Sequence, residues 1–269
     1  MDRITRSFQL VSQSYRVLMQ DSELMLLPLA SGVVMAAVIA VFALSAGINE
    51  ATIQARGPEL YVPIFFLYVA LYGVGIFFQC AVVAGATERM RGGEPTIASA
   101  LAAASRRIAA IVIWAILAAT VGVVLRAIHD RVGLVGKIVV GLIGAAWSLA
   151  TFFVVPVLVL EDIYIGDVLS RSMDVFRETW GETFVGGASL GFASFCAWMA
   201  LSLATLLLFS AIGMPAMLLF GTGAILLMMF FSAMQGVYVA ALYRYATEGE
   251  AVSGFDRSTL ASAFVEKRN

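Results

Sequence analysis

Few side chains in this sequence can do chemistry, and most of them sit in apolar company. Glu161 and Asp162 form a carboxylate pair directly after the run VPVLVL at 155–160. At the end of a helix broken by Pro156, such a pair can hold a cation or a basic substrate group, or it can simply be hydrated at a membrane boundary. Gln79 and Gln235 each lie well inside an apolar segment, where an amide must find a hydrogen-bond partner. They read as interhelical contacts or as a pair lining a polar pathway. Tyr72 and Tyr238 lie deep enough in their segments to join that pathway, whereas the other tyrosines near segment ends fit an interfacial belt. Asp167, Arg171, Asp174 and Arg177 make a separate group on the polar face of one amphipathic helix, suited to docking.

Absences narrow the chemistry further. The single histidine, His129, rules out zinc and di-iron centres built on histidine. The two cysteines, Cys80 and Cys196, fall inside apolar runs and read as small hydrophobes. There is no nucleophile–base pair, nucleotide-binding loop or metal-ligand cluster, and Ser172 has no histidine near it in sequence. No catalytic, cofactor-binding or metal-ligating residue is expected, and the chain reads as a non-enzyme. A net charge of −1 argues against nucleic acid as a partner.

The elements that position these groups follow from composition. Hydrophobic residues make up 61% of the 269 and charged residues 13%, against about 45–50% and 25% in soluble domains. The excess is gathered into runs long enough to cross a bilayer, for which ~20 apolar residues suffice. The expected spans are 24–47, 61–86, 108–128, 134–160, 184–212 and 215–243, within a single integral membrane domain covering 1–269. Pro28, Pro63 and Pro215 stand near helix starts, whereas Pro156 falls late in the fourth span and should kink or end it. Thirteen of the lysines and arginines lie on the side that carries both termini, and only Arg56, Arg126, Arg131 and Lys137 on the other. The positive-inside rule then puts both termini in the cytoplasm.

Residues 165–181 set one face at three- and four-residue spacing through Ile165, Val168, Leu169, Ser172, Val175, Phe176, Thr179 and Trp180. The opposite face is charged, so the segment is expected to lie flat in the cytoplasmic interface before span five. Residues 3–20 and 95–107 repeat the pattern, giving an all-α polytopic protein of three elbow-plus-hairpin units, with a tail at 246–269 in which FDRSTLASAF could form a further elbow. QCAVVAGATERMRGGE at 79–94 aligns with QGVYVAALYRYATEGE at 235–250, and RSFQLVSQSY at 6–15 with RSMDVFRETW at 171–180. Units with an even number of spans would be parallel repeats about an axis along the membrane normal. Gly187 and Gly191 add a GxxxG in span five.

Three blocks in order, RSFQLVSQSYRVLMQDSELMLLPLASG, VPVLVLEDIYIGDVLSRSMDVFRETWGE and ALYRYATEGEAVSGFDRSTLASAF, make the chain resemble an uncharacterised family of six-span integral membrane proteins from bacteria and archaea. Asp167 departs from the proline or small residue that the resemblance implies after Gly166. The resemblance implies six spans and supplies no reaction, ligand or catalytic residue. The residues themselves point to a non-enzymatic membrane scaffold that engages lipid, a protein partner or a second copy through its interfacial helices. The alternative is a transporter or channel for a small or amphipathic solute, with its site between repeats near Gln79 and Gln235.

Overall fold

In lipid, a backbone N–H or C=O without a partner costs several kcal/mol, so an apolar run must satisfy its own backbone by becoming a helix. The chain folds accordingly. A computed structural model describes residues 14–45 and 61–248, and the elements below are those of the described residues. Residues 14–20 are helical, and a 3-10 turn at Ser22–Met25 leads into α1 (Leu26–Ser45). Then come α2 (Tyr61–Met90), α3 (Ile97–Arg106), α4 (Ile108–His129), α5 (Leu134–Ala150), α6 (Val154–Leu160), α7 (Val168–Ile212) and α8 (Pro215–Glu248). No strand occurs among these residues. Six segments are long and apolar enough to cross a membrane: Ser22–Ser45, Val62–Met90, Ile108–His129, Leu134–Leu160, Gly187–Ser210 and Pro215–Arg244. The expected spans agree with these to within a few residues. The segment 3–13, the loop 46–60 and the tail from 249, with its possible elbow, lie outside the described residues.

α2 is the hub, packing against α1, α3, α4, α6 and α8. Small residues let its neighbours come close. A Cβ at Gly73 would rest 3.5 Å from Ala115 of α4, and one at Gly236 of α8 would lie only 2.4 Å from Val82 Cγ1. Glycine at 236 therefore sets how closely the two helices that carry the aligned segments can cross.

Burial is lopsided along the bundle. Nearly all fully buried side chains lie towards one end: Leu18 to Leu27, Ile76 to Met90, Ile111 to Ala119, Phe153 to Leu158, Val168 to Thr179 and Ala233 to Arg244. At the other end Leu44, Val62, Leu134, Leu206 and Leu218 are exposed, as lipid-facing residues should be. The packed end is the one where α2, α6 and α8 finish and α1, α4 and α7 begin; it is called the elbow end below.

The three expected elbows take three different forms. The first is a true break, with the helix 14–20 ended by the turn at Asp21. The second, α3, opens on a Thr96–Ser99 capping box and is separated from α4 by Arg107 alone. The third departs from expectation, because residues 168–181 and span five form one uninterrupted 45-residue helix, α7, about 68 Å long at 1.5 Å per residue. Between 168 and 212 the sequence holds glycines but no proline, and glycine alone does not end a helix. The apolar face of 168–179 is covered by protein, since Val168, Ser172, Val175, Phe176 and Thr179 are all buried. It needs no bilayer to bury it, so the segment continues the span instead of turning to lie flat.

Candidate functional site: the broken fourth span and its clasp

Pro156 has no N–H to donate to the carbonyl of Phe152, and its ring crowds that carbonyl, so the helix cannot run through 152–156. The fourth span accordingly breaks at 151–153 into α5 and α6. The turn is partly self-satisfied: Val154 N–H donates to the Thr151 carbonyl at 3.1 Å and Phe152 N–H to Leu149 at 3.3 Å. Two further groups are served from α7. Ser172 Oγ accepts from Phe153 N–H at 3.1 Å and donates to the Ala150 carbonyl at 2.7 Å. One buried hydroxyl thus splints both sides of the gap.

The other end of α6 is held by the residue next to that serine. Arg171 Nε donates to both oxygens of Glu161, at 2.8 and 3.1 Å, and Tyr243 Oη of α8 donates to the same carboxylate. Arg107, at the start of α4, donates to Asp162. Two consecutive carboxylates therefore tie together α4, α6, α7 and α8. The hydrogen bond to Glu161 raises the Arg171 pKa above its ordinary range, although burial works the other way. A raised basic group stabilises fully below its ordinary range and loses that stabilisation only at still higher pH, so alkali does not open the clasp from the arginine side. A second tie lies at the same end, where Arg89 pairs through Nε and Nη2 with both oxygens of Asp21. Ser99 Oγ donates to Glu88 at 3.0 Å and fastens α3 to the end of α2.

The residues singled out from the sequence fall into separate places. Glu161 is half-buried in the clasp, whereas Asp162 is exposed. Gln79 Nε2 donates to Ser232 Oγ at 3.3 Å across the α2–α8 crossing, and its Oε1 abuts Gly236. The two glutamines form no hydrogen bond with each other; Gln235 lies half-buried three residues beyond Ser232. Tyr238 is fully buried at the elbow end, while Tyr72 is 41% exposed on the outer half of α2 with its ring beside Tyr68. Of the expected docking face, Asp167, Asp174 and Arg177 are exposed, and Arg177 lies 3.7 Å from Asp174. Arg171 leaves that face. It turns to Glu161 rather than to Asp167, because a half-buried carboxylate offers a stronger partner than a solvated one. A Cβ at Gly187 or Gly191 would meet nothing within 4 Å from other elements among the described residues.

Ser172 and Tyr243 carry more than the sequence suggested. The available signal was Pro156 itself, since a proline inside a span breaks the helix just before it and leaves backbone groups there for side chains elsewhere to serve.

Six apolar helices, no strand among the described residues and a polar layer confined to one end define a six-span, all-α membrane protein. The chain belongs to the family of unknown function DUF6159, whose model matches residues 59–255. The match takes in the clasp and the hub helix and begins after the first of the three blocks that carried the resemblance. No curated protein and no solved structure matches the chain.

Proposed function

We propose that the protein is a non-enzymatic membrane scaffold, whose spans carry a rigid polar layer and present it to lipid and to a protein partner or a second copy. Its elbow end faces the cytoplasm across a prokaryotic inner membrane, in accord with the thirteen-to-four bias of basic residues. The observation that carries this reading is the way polar groups are used. Several of those inside the bundle are spent on packing, in Gln79–Ser232, Ser172 across the break, and Glu161 with Arg171 and Tyr243. The outer face of 167–178 meanwhile keeps Asp167, Ser170, Asp174, Arg177 and Glu178 in water.

Lipid and partner would be met by different elements. In the helix 14–20, Val17 and Leu18 face the core, Tyr15 and Met19 are exposed apolar groups, and Arg16 and Gln20 are exposed polar ones. A helix with three such sides belongs at a membrane surface. The first half of α7 has a protein side and a water side, which suits a protein partner. The transporter reading comes second; of the two glutamines it rests on, Gln79 is bonded to Ser232 across the α2–α8 crossing.

The test is crosslinking and capture from native membranes, comparing the wild type with the triple variant Asp174→Ala, Arg177→Ala, Glu178→Ala. Arg171 is left intact so that the fold is preserved. Loss of the captured partner is expected, and an unchanged partner set would contradict the docking role.

A further inference from the structure

We propose that residues 151–153 are a hinge about which α5 swings, with the Ser172 hydroxyl as its bolt. The two sides of the break are held very differently. α6 is anchored: Val154, Pro156, Val157 and Leu158 are buried, Phe153 just before it is buried completely, and Glu161 just after it is clasped by Arg171 and Tyr243. α5 is loosely held, with one buried residue, Val140, in 17 and packing mainly on α4 and α7 among the described elements. Its exposed face runs through Leu134, Val135, Ile138, Val139, Leu142 and Ile143. Few buried apolar contacts are the physical mark of a segment that moves at low cost.

Backbone continuity across 151–153 is also weakened. Val154 N–H bonds to the Thr151 carbonyl in place of Ala150, and Pro156 donates nothing to Phe152. What joins the rigid side to the loose side is a hydroxyl from a third helix, bonded to Ala150 on one side and Phe153 on the other. Rotating that one side chain releases both bonds at once. Near the pivot, Trp147 of α5 lies parallel to Trp114 of α4, with centroids 6.1 Å apart, a contact that can slide without being lost. A swing of about 20° carries the far end of this ~25 Å helix by ~9 Å. The movement opens the seam between α5 and α7 to lipid while the elbow end stays closed. The hinge is independent of what the elbow end binds.

The experiment is pulsed dipolar spectroscopy in vesicles of phosphatidylethanolamine and phosphatidylglycerol, in a Cys196→Ala background; Cys80 is fully buried and escapes labelling. One spin-label pair sits at Ile138 and Val62, both exposed at the far end. A control pair sits at Tyr164 and Ser105, both exposed at the elbow end. Ser172→Ala should move population into a second Ile138–Val62 distance shifted by up to ~6 Å, because Ile138 stands ~18 Å from the pivot, with the control pair unchanged. Pro156→Ala restores the missing N–H and should narrow the same distribution below its wild-type width. The hinge is refuted if the Ile138–Val62 distribution in Ser172→Ala matches wild type, or if both pairs broaden together. Should Ser172→Ala not fold, Pro156→Ala decides alone, and a wild-type width there overturns the proposal.

Discussion

Ser172 shows how much of this fold can depend on one hydroxyl. It is completely buried and serves an amide and a carbonyl that the break at 151–153 leaves without helical partners. Removing it strands two buried backbone groups, at about 1–3 kcal/mol. Ser172→Ala is therefore expected to lower stability by about that amount in detergent-titration unfolding, whereas Ser170→Ala, an exposed neighbour, should shift it by less than ~0.5 kcal/mol. The two carboxylates make a second contrast. Glu161 is half-buried and holds two donors, while the Asp162 side chain is 90% exposed with one. Glu161→Gln should lower the melting temperature by several degrees, and Asp162→Asn by about 1–2 °C at most, in keeping with the small worth of exposed pairs. At this scale the sequence was only partly legible. The polar residues could be found, but which partner each would choose depended on the break at 151–153. Periodicity groups Arg171 with Asp167, Asp174 and Arg177, and it goes to Glu161 because the chain turns back between α6 and α7.

Among the helices, the apolar runs and prolines were enough to place six spans to within a few residues, because lipid leaves the backbone no other choice. The continuity of α7 was not readable in the same way. Its amphipathic first half has the periodicity of a surface helix, and periodicity does not say whether protein or lipid will cover the apolar side. The tightest crossing, α2 on α8, is set by Gly236 against Val82. A methyl group at 236 has no room, so Gly236→Ala should cost about 1–3 kcal/mol through overpacking. Gly187→Ala, with nothing within 4 Å, should be neutral or stabilise by up to ~1 kcal/mol through helix propensity. Parallel unfolding titrations of the two variants check this pair, and equal losses would mean that the crossing is looser than described.

The whole molecule is a bundle fastened at one end. Asp21–Arg89, Glu88–Ser99, Arg107–Asp162, Arg171–Glu161 and Tyr243–Glu161 all lie there, in the region that holds nearly all of the buried side chains. The opposite ends of the helices carry exposed apolar residues and a short loop at 130–133 with Arg131, flanked by Arg126 of α4 and Lys137 of α5. This arrangement requires the fastened end and the 130–133 loop to lie on opposite faces of the membrane. The most direct measurement is labelling of single-cysteine variants with an impermeant maleimide in sealed vesicles of one orientation, in the Cys196→Ala background. Cysteines at Tyr164 and Asp174 should react from one side, and cysteines at Arg131 and Lys137 only after the vesicles are opened, or the reverse in inverted vesicles. Labelling of all four positions from the same side would contradict the account.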